Sequence, residues 1–205
     1  MNYNDLASVE VIEKTINSLK ERGFLPEVIE TKEAALARIK ELIPAGATVM
    51  NGSSRTLEEI GFIEHLKTGD HGWKNLHADI LALSDPVEQQ KMREQALFSE
   101  FYLGSVHALT ENGESLIASN SGSQLPHLVS TSANLILVVG AQKIVSSVSD
   151  AFKRLDEQVI PLEEKRMRAA QGVGTYPSKV LLLNREPDFT GRKVHLLIVN
   201  EILGY

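Results

Sequence analysis

The sequence contains no cysteine. This absence excludes structural disulfides, a thiolate nucleophile, cysteine-ligated zinc and any iron–sulfur cluster held by this chain. Nor is there an excess of positive charge. The 21 Lys and Arg residues against 27 Asp and Glu give a net charge of −6 and a pI near 5.6, which argues against nucleic acid as the main partner. Lys165, Arg166 and Arg168 do cluster, but beside Glu163 and Glu164, as on a solvated helix face. No apolar run reaches the length of a membrane span. The opening MNYNDLASVEVIEK carries acids and lacks the apolar core of a secretory signal, so a soluble, cytoplasmic protein is expected.

Several catalytic and cofactor signatures are missing too. The six histidines (65, 71, 77, 107, 127 and 195) include no pair at the i, i+4 spacing that puts two imidazoles on one helix face. No metal and no cofactor are therefore expected. Gly172-Val173-Gly174 follows no strand pattern and opens no helix, so it is no dinucleotide fingerprint. No G-x-S-x-G elbow supports a serine triad. There is no internal repeat, low-complexity tract or linker. Residues 1–205 read as one domain, large enough to bury a core without staples.

What is present is alternation of strands and helices. Leu6, Val9, Ile12, Ile16 and Leu19 are spaced as one face of an opening helix, stopped by Gly23. Phe24–Ile29 reads as a strand. Leu36, Ile39 and Ile43 mark a second helix that Pro44 and Gly46 end. Thr48–Met50 is a short strand, and Asp85-Pro86-Val87-Glu88 opens a helix reaching about Ser99. Thr68–Trp73 is turn-rich, with His71 and His77 flanking Trp73 and placed to shape a pocket mouth. From Tyr102 the chain reads as strand, a tight turn at Glu111–Glu114, strand, a small-residue loop, a short helix and the apolar strand Leu135–Gly140. A helix near Asp150–Gln158, an irregular polar segment to Pro177 and the strands Val180–Leu183 and Val194–Val199 complete the pattern. This is an α/β protein: a three-layer, Rossmann-like open sheet, largely parallel, with helices on both faces and an added antiparallel hairpin at Asn112-Gly113.

Two loops are candidate ligand contacts. Asn51, Gly52, Ser53, Ser54 and Thr56 lie where a strand ends and a helix begins, and in open α/β sheets ligands sit beyond the carboxyl ends of strands. Asn120, Gly122, Ser123 and Gln124 belong to the second loop. Small residues there let backbone N–H groups approach an anion, and a helix start adds a positive dipole end. Against this stands a simpler account, in which the first loop is a capped turn and the second a flexible connection. Catalytic candidates are His107, on a predicted strand, and Glu111, at the hairpin. Period-two alternation places both on one strand face, and imidazole exchanges protons near neutrality. A satisfied core histidine and a solvated turn glutamate are the alternatives.

TENG (Thr110–Gly113), the Gly/Ser loop after it and LILVVGAQKIV (Leu135–Val145) together resemble the LUD-domain family, typified by a lactate-utilisation protein. NGSSRTLEEIG (Asn51–Gly61) and VHLLIVNEILGY (Val194–Tyr205) extend the resemblance over nearly the whole chain. The family in turn resembles the ribose-5-phosphate isomerase, glucosamine-phosphate deaminase and CoA transferase superfamily. The resemblance implies that the first loop holds a substrate phosphate, that Gln124 is a polar ligand contact, and that Glu111 corresponds to a transferase nucleophile. It leaves three functions open. One is binding of a small anionic, phosphorylated or CoA-like metabolite in organic-acid (lactate-type) metabolism. Another is a non-catalytic accessory subunit of an iron–sulfur oxidoreductase, whose clusters would sit on another chain. The last is a sugar-phosphate isomerase or CoA transferase-like enzyme, disfavoured by the lack of a clear Asp/Glu/Lys cluster near the loops. The oligomeric state is open, with a dimer as one expectation.

Overall fold

The computed structural model describes residues 2–205. Helix α1 (Val9–Glu21) starts at Ser8, whose hydroxyl accepts the Val11 N–H, and buries Ile12, Thr15 and Leu19. Strand β1 (Leu25–Ile29) and helix α2 (Lys32–Leu42), capped by Thr31, follow. Next come β2 (Thr48–Asn51), the short α3 (Arg55–Glu59), α4 (Phe62–Thr68), the two-residue β3 (Lys74–Asn75) and α5 (Leu76–Ala82). Asp85 caps α6 (Pro86–Ala96) with proline in the first turn, as its sequence predicts. Then come β4 (Phe101–Ser105), β5 (Ala108–Thr110), β6 (Ser115–Ser119), a π turn (His127–Thr131) and β7 (Asn134–Gly140). The chain continues through β8 (Ile144–Val145), α7 (Val148–Arg154), α8 (Ile160–Gln171), β9 (Lys179–Leu183) and β10 (Lys193–Val199). Among the described residues no helix is long and apolar enough to cross a membrane.

Six strands form a parallel sheet in the order β1-β10-β7-β4-β2-β3. Its strand alternation builds two cores. Ile136, Val138, Leu197 and Val199 face α2, α3 and α4, whereas Leu135, Leu137, Leu196 and Ile198 face α1 and a second sheet. That second sheet has four strands, β8-β5-β6-β9, and only its β5–β6 pair is the hairpin predicted at Asn112-Gly113. Leu109 and Ile117 point toward the parallel sheet, while Ala108 and Leu116 pack on α7. The α/β architecture therefore stands, with a fuller second sheet than a hairpin alone.

Two segments differ from their sequence-based expectation. The run predicted as a continuous strand into the hairpin is broken at Val106 and His107, with β4 in one sheet and β5 in the other. The segment predicted as irregular up to Pro177 is helical as far as Gln171. The reason is Pro161. It lacks an N–H and its ring crowds the carbonyl four residues back, which normally ends a helix. Here a π turn at Leu155–Val159 widens the spiral just ahead of it, with the Ile160 N–H reaching back to the Leu155 carbonyl, and α7 runs on into α8.

The chain after β10 folds across the end of β7. Gln142 Nε2 donates to the Leu203 carbonyl at 2.9 Å. A β-carbon on Gly140 would stand 2.8 Å from the Leu203 nitrogen and 2.9 Å from the Glu201 carbonyl oxygen. Its φ of −66° suits any residue, so the requirement for glycine is one of space. Gly140→Ala should therefore cost about 1–3 kcal/mol through overpacking against backbone. Urea unfolding checks this, and an unchanged midpoint would show that the tail does not pack there.

Candidate functional site

Strands β2, β4 and β7 are neighbours running the same way, so their carboxyl ends bring Gly52–Ser54, Ser105–His107 and Ala141–Lys143 side by side. Both β4 and β7 leave the parallel sheet here and continue into the second sheet as β5 and β8, which pair with each other. Backbone groups at such a joint lose their ladder partners and must find others. Two buried cations supply them. Arg154 Nη1 donates to the His107 carbonyl at 2.7 Å. Lys143 Nζ donates to the Val106 carbonyl at 3.2 Å, and lies 3.0 Å from Thr56 Oγ1 and 3.1 Å from Ser105 Oγ.

A cavity of about 460 Å³ opens at this joint. Gly52–Thr56, Ser105–His107 and Lys143 line one side. Ala118–Ser121, Ser123 and Gln124 line another, and Leu155, Val159, Ile160, Glu163, Arg166 and Met167 of the π turn and α8 close over it with Tyr205. The two predicted loops do meet. The position of a β-carbon on Gly52 is 3.2 Å from Gln124 Oε1 and 2.5 Å from the Tyr102 hydroxyl, so only glycine fits there. Asn51 lies beneath the loop, buried, and Gly122 sits behind the wall at φ +89°, close to the Lys179 side chain. Neither lines the cavity.

The chemistry on offer differs from the motif-based expectation. Helix α3 is five residues long, so it contributes little dipole, and the Ser54 hydroxyl is used on the Leu57 N–H. In the second loop Ser119 accepts the Gly122 N–H and Ser121 accepts the Ser123 N–H, so the loop is braced by its own hydroxyls. Gln124 donates its amide to the Ala118 carbonyl at 3.0 Å and presents its carbonyl oxygen toward Gly52, which suits a ligand hydroxyl better than an anion. Glu111 does not reach the cavity; it sits on the hairpin turn in an ion pair with Lys14 at 2.8 Å. His107 and Glu111 are thus not brought together, because the chain leaves strand geometry at His107 and Glu111 lies beyond the end of β5. His71 packs on Trp73 beside His65, away from the cavity. His77 instead contacts the Asn51 carbonyl at 3.3 Å.

Lys143 is not among the residues that motif and spacing single out. It is 2% exposed, and among the described residues no carboxylate forms an ion pair with it. Burial, reinforced by the Arg154 charge and opposed by Glu59, lowers its pKa to about 7. The one signal pointing to it was a lysine embedded between an apolar strand and the apolar pair Ile144-Val145. The acid that faces the cavity is Glu163. Burial alone would raise its carboxyl, but hydrogen bonds from Arg166, at 2.6 and 2.7 Å, and from the Tyr205 hydroxyl outweigh this and hold it below its ordinary value. An acid and three cations (Arg55, Lys143, Arg166) thus do gather at the loops, drawn from elements distant in sequence.

His107 has a fixed tautomer. The Ala118 N–H donates to its Nδ1 at 3.0 Å, so the neutral ring carries its proton on Nε2. Burial, with the Lys143 and Arg154 charges, depresses its pKa from 6.5 to about 3. At neutral pH it is a hydrogen-bond donor and not the proton-exchanging base that an unperturbed imidazole would be. As pH falls from 6.5 toward 3, the unfolded chain takes up a proton at this position that the folded chain refuses, so stability declines in that window and is unaffected above it. His107→Gln should flatten this decline, read as a smaller loss of unfolding free energy between about pH 7 and about pH 5. An unaltered slope would show that His107 titrates normally in the fold.

A search of the curated proteins found no match. Among solved structures the chain is similar to the crystal structure of a DUF162 family protein from Deinococcus radiodurans, with a TM-score of 0.58 and 15% sequence identity over 95% of this chain and 99% of that one. This likeness shows the fold. The family model of the LUD domain matches residues 12–196, which spans both loops, the joint and Lys143. The chain belongs to the LUD-domain family.

Proposed function

We propose that the cavity at the sheet joint binds a small anionic metabolite, a phosphorylated, carboxylated or CoA-like compound of cytoplasmic organic-acid (lactate-type) metabolism. The observation that supports this is the unpaired charge of Lys143. A buried ammonium without a counter-carboxylate is costly, and here it adjoins a cavity lined on the same side by the hydroxyls of Ser53 and Ser105 and on another by that of Ser123. An anion entering the cavity supplies the missing counter-charge. The remaining cations at the site are already engaged, Arg55 with Glu58 and Glu59 and Arg166 with Glu163. Selectivity for anions therefore rests on Lys143. A volume of about 460 Å³ suits a small metabolite.

The test is a melting screen of the purified chain with inorganic phosphate, 2-hydroxy acids and CoA esters. A ligand at about a hundred times its dissociation constant should add roughly 2.7 kcal/mol of stability. Lys143→Met, which keeps the stem and removes the charge, should remain folded and lose the shift. If no anion raises the melting temperature, or if the Met variant responds equally, the binding reading fails.

A further inference from the structure

Lys143 carries more than charge. We propose that its amine is a point of covalent attachment for a small carbonyl compound bearing a carboxylate, through an imine; this rests on the anion-binding reading above. Imine formation requires three things of a site. The amine must be available unprotonated. A proton donor must stand beside the carbonyl oxygen, and water must have a way out.

The surroundings of Nζ meet each requirement. No carboxylate pairs with it among the described residues, so nothing nearby fixes the ammonium form, and the Arg154 guanidinium acts against it. The lowered pKa that follows from burial brings the neutral amine within reach near pH 7. Its two hydroxyl neighbours serve either protonation state. Ser105 Oγ can turn its hydrogen to the Val106 carbonyl at 3.3 Å, and Thr56 Oγ1 to the Leu203 carbonyl at 3.4 Å. Turned toward Nζ instead, the same hydroxyls donate. A carbonyl carbon bonded to Nζ places its oxygen within reach of them, and the cavity gives water an exit.

The step balances without a further reagent. The Nζ lone pair forms the C–N bond as the carbonyl π pair moves to oxygen. The two amine hydrogens leave with that oxygen as water, relayed through the hydroxyls, and the C=N bond remains. A 2-oxo acid is the smallest molecule that joins a carbonyl to the anion this cavity takes. With cysteine absent, no thiol competes for it. His107, neutral with its proton on Nε2, lines the same cavity and is a second donor toward the carboxylate.

The test is reductive trapping on the full chain. Glyoxylate and pyruvate, the smallest aldehyde and ketone of this class, are incubated with the protein and sodium cyanoborohydride near pH 7, followed by intact mass and peptide mapping. One reduced adduct per chain, on the peptide carrying Lys143, is expected, with excess inorganic phosphate slowing it several-fold and Lys143→Met abolishing it. Mapping of the unaltered chain stands even if the variant fails to fold. Adducts spread over exposed lysines, or none at all, overturn the proposal. If either acid raises the melting temperature without an adduct, the imine falls and the anion site stands. If neither binding nor adduct is seen, the imine falls, and the anion site falls with it only where inorganic phosphate, 2-hydroxy acids and CoA esters also leave the melting temperature unchanged.

Discussion

The structure depends on how two adjacent strands pass from one sheet into another. β4 and β7 are central in the parallel sheet, and each continues into the second sheet after a break of only two or three residues. At that break the carbonyls of Val106 and His107 have no ladder partner. Leaving a buried backbone carbonyl unpaired costs about 1–3 kcal/mol, and side chains with several donors are the compact solution. Lys143 takes one carbonyl and Arg154 the other. The joint thereby collects positive charge on buried side chains beside the cavity. An electropositive hollow follows from closing the fold this way.

The same arrangement sets the character of the neighbouring groups. Burial, reinforced by the Lys143 and Arg154 charges, keeps the His107 imidazole neutral, and its ring is oriented by the Ala118 N–H. The acid at the cavity wall, Glu163, is held by Arg166 and Tyr205 and so stays ionised. The lysine differs from both, since no carboxylate among the described residues fixes its charge. A single joint thus gathers a fixed donor, a fixed acid and one amine whose pKa is lowered toward neutrality.

The elements legible in the sequence are those with local causes. Ser8, Thr31 and Asp85 announce α1, α2 and α6 because a cap needs only its own turn. β7 is legible from an unbroken apolar run that both cores demand. What stayed hidden has non-local causes. The break at Val106–His107 is set by which strands β4 and β5 pair with, and both flanks are apolar, so nothing in the local pattern marks it. Pro161 suggests a helix end, and a π turn that absorbs it leaves no sequence signature. The loops Asn51–Ser54 and Ser119–Gln124 were visible as small-residue turns. Lys143, Glu163 and Arg166 were not visible as a group, since no spacing relates residues that three separate elements bring to one cavity.

The strand order has a consequence for how the chain reaches this state. β1, near the start of the chain, has a single ladder partner, β10, whose register pairs Leu25 with His195 and Ile29 with Val199. During synthesis β1 therefore emerges long before anything can cover its edge. Closing so long a loop carries an entropic penalty before any contact rewards it, and topologies of this kind fold slowly. Until β10 arrives, the exposed backbone of β1 is an open template for other chains. The proline at position 26 removes one donor from the opposite edge of β1, which has no strand partner among the described residues of the finished sheet, and makes that edge a poorer template.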